Sequence, residues 1–140
     1  MQTFVPFIHF DLIAECLDRR RLGKQRVECY QILRALTGQS RGWVNHPTVK
    51  MWRGFEPALV DYTLTMCEEW VNRSYSDTIA DKIYDEFGDF VEPDGGIVKP
   101  AWLEDERVLR SHRAMLFHKD PDYYSSFKDC AHITEYYWPV

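Results

Sequence analysis

Phe55, Leu59, Tyr62, Met66 and Trp70 recur at intervals of four, three, four and four residues, the repeat of one face of an α-helix. Ala58 and Cys67 widen that stripe, so Glu56 to Asn72 is predicted to be a helix that must bury one side. Arg20 to Leu36 is the natural partner, with Leu22, Cys29, Ile32, Leu33 and Leu36 on one side and Thr37-Gly38-Gln39-Ser40 as its stop. Phe10 to Leu17 reads as a short amphipathic helix, with Asp11 near its start. Pro47 suits the first position of a short helix, and Ser76-Asp77 caps another that runs through Phe87. Pro100 precedes a helix through about His118, with Leu103, Val108, Leu109 and Met115 facing inward. Asp120-Pro121 starts a short last helix before the aromatic tail Tyr136-Tyr137-Trp138-Pro139. Thr3 to Phe7 is extended, and Glu92 to Gly96 is a mobile loop. Neither an alternating strand pattern nor an internal repeat is present. The expected class is therefore all-α, five or six helices around one core, with residues 1–140 as a single domain.

Aromatic residues make up 15% of the chain, with five Trp and eight Tyr. Either the core is unusually aromatic or some rings line a binding site. The apolar runs are too short to span a bilayer, and the first residues lack a basic segment followed by an apolar one, so no membrane partner and no secretory signal are expected. Cys16, Cys29, Cys67 and Cys130 lie far apart, which suits reduced, mostly buried thiols in a cytoplasmic protein. The five histidines form no ligand pattern either, so neither a metal nor another cofactor is expected.

The net charge of −5 argues against nucleic acid as a partner, but its distribution argues the other way. Between Leu17 and Arg53 only Asp18 and Glu28 oppose nine basic residues. Between Asp61 and Glu106 thirteen acids face three bases, so a phosphate-bearing ligand belongs on the first part of the chain.

Three clusters could carry chemistry. On a helix Arg20, Lys24 and Glu28 share one face, a cationic stripe ending in a carboxylate that can hold a phosphate and move a proton. Gly23 within that helix suggests close approach by something, and Arg26, near the apolar stripe, either snorkels out or is buried with a carboxylate such as Glu28. In the second cluster Asn45 and His46 sit at a helix start, where free N–H groups favour an anion, with Trp43 and Trp52 as platforms for a base. Alternatively Asn45 only caps the helix and the tryptophans pack in the core. The third is Ser111-His112-Arg113 followed by His118-Lys119-Asp120-Pro121 and Tyr123-Tyr124, one wall of a phosphate and ring pocket. No glycine-rich phosphate loop is present.

The run Leu17-Asp18-Arg19-Arg20-Arg21-Leu22-Gly23-Lys24-Gln25-Arg26-Val27-Glu28, the Asn45-His46-Pro47 turn and the Ser111–Tyr124 block resemble a bacterial and phage branch of the pyrimidine-dimer DNA glycosylases of the endonuclease V type. The resemblance implies an all-helical enzyme whose free N-terminal amine attacks the sugar C1′ to form a Schiff base, assisted by a carboxylate in the first long helix. An α-amine in general titrates near about pH 8, low enough to be partly neutral in the cell. By position Glu28 resembles that carboxylate, with Glu15 and Asp18 as alternatives, and the resemblance makes Arg20, Arg21, Lys24 and Arg26 the expected strand contacts. Gln2 is too large for ordinary removal of Met1, so Met1, or Thr3 after unusual trimming, supplies the amine.

The expected function is a DNA glycosylase, with or without AP-lyase activity, acting on a damaged or modified pyrimidine. Its catalytic candidates are Met1, Glu28, His46 and His112. DNA or a nucleotide would be held by Arg20, Arg21, Lys24, Arg26, Asn45, Arg113 and Lys119, and stacked on Trp43, Trp52, Tyr123 and Tyr124. The alternatives are an enzyme acting on a modified nucleotide or nucleobase, and a non-catalytic module that uses the basic helix to bind an acidic partner.

Overall fold

The structure, a computed structural model, describes residues 1–92 and 95–140. It contains α1 (Phe10–Cys16), α2 (Arg19–Leu36), α3 (Pro47–Trp52), α4 (Glu56–Asn72), α5 (Ile79–Phe87) and α6 (Glu106–Lys119). Short 3-10 turns at Gly88–Phe90, Ala101–Glu104 and Ser125–Cys130 complete it, and no strand occurs among the described residues. The expected loop at Glu92 to Gly96 lies partly outside the described residues.

The central pair is α2 against α4. Leu22, Cys29, Ile32 and Leu33 from one meet Leu59, Tyr62 and Met66 from the other, all fully buried. At its C-terminus α2 ends in a Schellman motif: Gly38 takes φ +79°, and the Gln39 N–H reaches back to the Arg34 carbonyl at 2.9 Å. Part of the aromatic surplus goes inward, while Trp43, Tyr75, Tyr84, Tyr123 and Tyr137 stay exposed. Trp52 lies edge-on to Trp102 with centroids 5.0 Å apart, and Phe10 edge-on to Tyr62 at 5.2 Å.

Several local expectations are corrected. The helix expected from Pro100 is two elements, because the Asp105 carboxylate accepts the Arg107 N–H at 2.9 Å and restarts the helix. Met115 is only partly covered, whereas His112, Ala114 and Leu116 take the interior positions of α6. The last expected helix is a 3-10 turn that begins at Ser125. Asp77 does cap α5, accepting the Ile79 and Ala80 N–H groups at 3.2 and 2.9 Å.

What approaches Gly23 is the protein itself: a Cβ there would sit 3.0 Å from the Trp70 ring. Trp70 in turn stacks on Tyr75 at 4.3 Å and lies under the Arg26 guanidinium at 4.4 Å. Arg26 is paired with Asp77, not with Glu28, and its side chain is only 12% exposed. It is therefore part of the packing between α2 and α5, not a strand contact. Arg26→Ala would strand a carboxylate that is 4% exposed, and is expected to lower folding stability by about 3 kcal/mol. Arg20→Ala, an exposed change on the same helix, should cost less than about 0.5 kcal/mol. Urea denaturation of both variants checks this, and equal losses would sink the structural assignment of Arg26.

Candidate active site

Chain termini are usually loose, yet residues 2–5 of this chain are buried. No helix or sheet holds them, so their backbone groups need other partners. Those partners are side chains from four helices. The Gln25 carboxamide of α2 takes the Phe4 N–H at 2.9 Å and donates to the Gln2 carbonyl at 2.7 Å. From α4 the Tyr62 hydroxyl lies 2.7 Å from the Phe4 carbonyl and 2.6 Å from the Gln25 oxygen, its single proton shared between the two acceptors. Trp52 of α3 donates its indole N–H to the Thr3 hydroxyl at 2.9 Å, and Thr48 bonds the Met1 carbonyl at 3.3 Å. From α6, His112 Nδ1 accepts the Val5 N–H at 3.0 Å, and Arg113 donates to the Pro6 carbonyl at 2.9 Å.

This lacing delivers the N-terminus to Glu28. The Gln2 N–H donates to Glu28 Oε2 at 3.1 Å, and Lys24 Nζ lies 3.9 Å from Oε1. The two residues form one wall of a cavity of about 530 Å³ that Met1 also lines. Arg20, Arg21, Lys24 and Lys119 ring it with positive charge. Asp18 and Asp120 line it too, so with Glu28 three carboxylates share it with the four cations. Burial works to raise the Asp18 pKa, but hydrogen bonds from the Tyr124 hydroxyl and from Arg21 prevail and hold it below the usual value. Asp18 is thus committed to positioning Arg21 and Tyr124, and Glu15 faces the acidic groove between α1 and α4 instead. Thr3 is fully buried, which removes it as an exposed terminal amine.

His46 belongs to the same neighbourhood. Its pKa is lowered by burial and by the positive N-terminal amine, against the pull of Glu28. Nδ1 accepts the Thr48 N–H at 3.1 Å, so the neutral ring carries its proton on Nε2 and acts as a donor, not a base. The same bonds remove the expected anion site at the start of α3. Pro47 has no N–H, His46 Nδ1 takes that of Thr48, and the His46 carbonyl takes those of Val49 and Lys50. Asn45 is exposed and is not the cap; His46 is. Trp43 is 57% exposed, sits edge-on to His46 at 5.8 Å, and has φ +69°, a left-handed conformation unfavourable for a bulky side chain.

Four other candidates serve the fold. Trp52 is fully buried and has no face left for a base. Tyr124 is 2% exposed, with its hydroxyl held by Asp18. Arg113 is turned onto the protein's own chain at Pro6. His112 is fully buried, and burial pushes its pKa from 6.5 down to about 3, so it anchors Val5 as a neutral ring outside the cavity. Tyr123 is exposed beside Tyr124, away from the cavity wall.

The buried His112 has a consequence for acid stability. The unfolded chain binds a proton below its ordinary pKa of 6.5, whereas the folded one does not until about pH 3. Stability should therefore fall as pH drops through that window, by about 1.4 kcal/mol per unit. The lowered pKa of His46 adds in the same direction. In urea denaturation between pH 7 and pH 5, His112→Asn should flatten the slope, since its side-chain oxygen can still accept the Val5 N–H. An unchanged slope would remove His112 as the source.

Two residues that shape the cavity were not anticipated from the sequence. Gln25 carried a signal, a polar residue inside the Leu22/Cys29/Ile32 stripe, and it is 1% exposed. Tyr136 carried none beyond its place in an aromatic tail, yet it lines the cavity. Among the described residues no cluster of His, Cys, Asp or Glu could hold a metal ion, and no helix is long and apolar enough to cross a membrane.

Comparison with curated proteins and with solved structures gave no match in either case. The family described as pyrimidine dimer DNA glycosylase matches residues 1–83, which include the laced N-terminus, Glu28 and the basic face of α2. The chain belongs to the pyrimidine dimer DNA glycosylase family.

Proposed function

We propose that the cavity at the N-terminus is a glycosylase active site that acts on a pyrimidine lesion in DNA and also nicks abasic sites. The observation that carries this reading is the lacing of residues 1–6, which brings the Met1 end of the chain and Glu28 into the lining of one cavity that also holds four basic side chains. Nothing in packing alone requires a chain terminus to be held by buried side chains from four helices.

In this reading the lone pair of the neutral Met1 amine forms a bond to C1′. The C1′–N1 pair leaves with the pyrimidine, which gains a proton. The amine nitrogen loses its protons as the sugar opens to a Schiff base, and Glu28, which lines the same cavity and binds the next N–H of the chain, accepts one and returns it to the ring oxygen. Loss of a C2′ proton to a base then expels the 3′ phosphate, which is the lyase step. Arg20, Arg21, Lys24 and Lys119 hold the backbone phosphates, while the exposed Trp43, beside His46, stacks on a base displaced outside the cavity. The strained, exposed Trp43 is well suited to that contact.

A second reading, an enzyme acting on a modified mononucleotide, draws on the net charge of −5 and on a cavity of nucleotide size. Borohydride trapping of the untagged protein on an oligonucleotide with an abasic site separates the two. An adduct mapped to the Met1 amine is expected. No adduct, together with no DNA binding at low salt, would overturn the glycosylase reading.

A further inference from the structure

We propose that the Gln2 carboxamide and the Tyr136 hydroxyl form the base-reading wall of this cavity, donating hydrogen bonds to the ring carbonyls of the pyrimidine whose glycosidic bond is cut. The inference rests on the glycosylase reading above. Gln2 is 7% exposed, and its polar atoms are used with one exception. Its backbone N–H goes to Glu28, its carbonyl accepts from Gln25, and its side-chain Oε1 accepts the Thr3 N–H at 2.9 Å. Only Nε2, buried, makes no hydrogen bond of normal geometry, its polar neighbour being the Tyr136 hydroxyl in a loose contact. Because Oε1 is pinned, the direction of the amide nitrogen is set with it.

A buried donor with no acceptor destabilises a fold, so it is retained where something else is gained. Among the described residues two other buried side-chain nitrogens are unpartnered, on Arg26 and His112. The first belongs to an ion pair and the second to the core, and neither residue lines the cavity. Gln2 does.

Tyr136 comes to the same wall from the other end of the chain. Its ring packs edge-on to His112 at 5.0 Å and against Trp138 at 5.5 Å. Its hydroxyl lies close enough to Gln2, Arg21 and Glu28 for each to act on its titration, yet it makes no well-formed bond to the Gln2 nitrogen. Burial, opposed by Gln2 and Arg21, pushes its pKa up to about 12, so it remains a donor at neutral pH. Two donors side by side match a base that presents carbonyl oxygens, as thymine and uracil do, and mismatch adenine, which has none. When the C1′–N1 bond breaks, its electron pair spreads onto the O2 carbonyl. A hydrogen bond there strengthens as the base departs, and the contact therefore acts on rate as well as on selection.

The test uses two duplex substrates, one carrying a cis–syn thymine dimer and one an abasic site, which has no base to read. The variants are Gln2→Met, which keeps a large residue behind Met1, and Tyr136→Phe, with thermal melting to confirm folding. Single-turnover cleavage at the dimer should fall at least about tenfold further than trapping at the abasic site. Equal losses on both substrates would mean that the pair only positions the amine, and would overturn the proposal, as would unchanged cleavage at the dimer. If Gln2→Met does not fold, Tyr136→Phe decides alone. Failure of the wild-type protein to trap at the abasic site overturns the glycosylase reading, and this inference with it.

Discussion

A protein carrying one extra residue ahead of Met1, or an acetyl group on its amine, is expected to lose borohydride trapping and glycosidic cleavage by at least about a thousandfold. Its fold should be unaffected. The Met1 carbonyl is held by Thr48 and the Gln2 N–H by Glu28, so the backbone cannot slide to compensate. One added residue moves the amine by about 3.8 Å along the chain and leaves an amide in its place, which has no usable lone pair. Circular dichroism and thermal melting should match the uncapped protein. Full activity in a capped protein would remove the N-terminal amine from the mechanism.

Glu28→Gln is expected to reduce the single-turnover rate by roughly a hundredfold to a thousandfold, with little change in DNA affinity. The replacement keeps the shape of the side chain and an oxygen that can still accept the Gln2 N–H now made at 3.1 Å. It removes only the charge and the capacity to carry a proton. A large drop in affinity with an unchanged rate would instead give Glu28 a structural role. The corresponding change at Asp18 should behave differently. Its carboxylate is held by Tyr124 and Arg21, so Asp18→Asn is expected to weaken the fold more than the chemistry.

The helices were largely legible because helical periodicity is a local property. Glu56 to Asn72 was expected and is α4 to the residue, since its stripe, first-turn proline and acidic start agree with one another. The boundaries that moved are those where one side chain overrode the pattern, as Asp105 does by capping its own helix in the middle of the expected one. The site was half legible. Glu28, Lys24 and Arg20 share a face by simple spacing, and they line the cavity together. Arg26, Arg113, Trp52 and Tyr124 were indistinguishable in type from the cavity's own arginines and rings, but each is spent on packing.

What the sequence determined by itself is the all-helical class, the pairing of two long amphipathic helices and the separation of basic from acidic segments, because each is written in the order of residues along one element. The tertiary structure decided which charge faces the cavity and where the terminal amine ends up. A turn of 100° per residue on α2 separates Lys24, exposed at the cavity, from Arg26, locked against Asp77. Gln2 meets Glu28, with Met1 lining the same cavity, only because Gln25, Tyr62, Trp52 and His112 hold the first residues across four helices. The hydrogen bonds that lace the first residues join positions up to 107 apart, a distance at which no periodicity or spacing in the chain carries information.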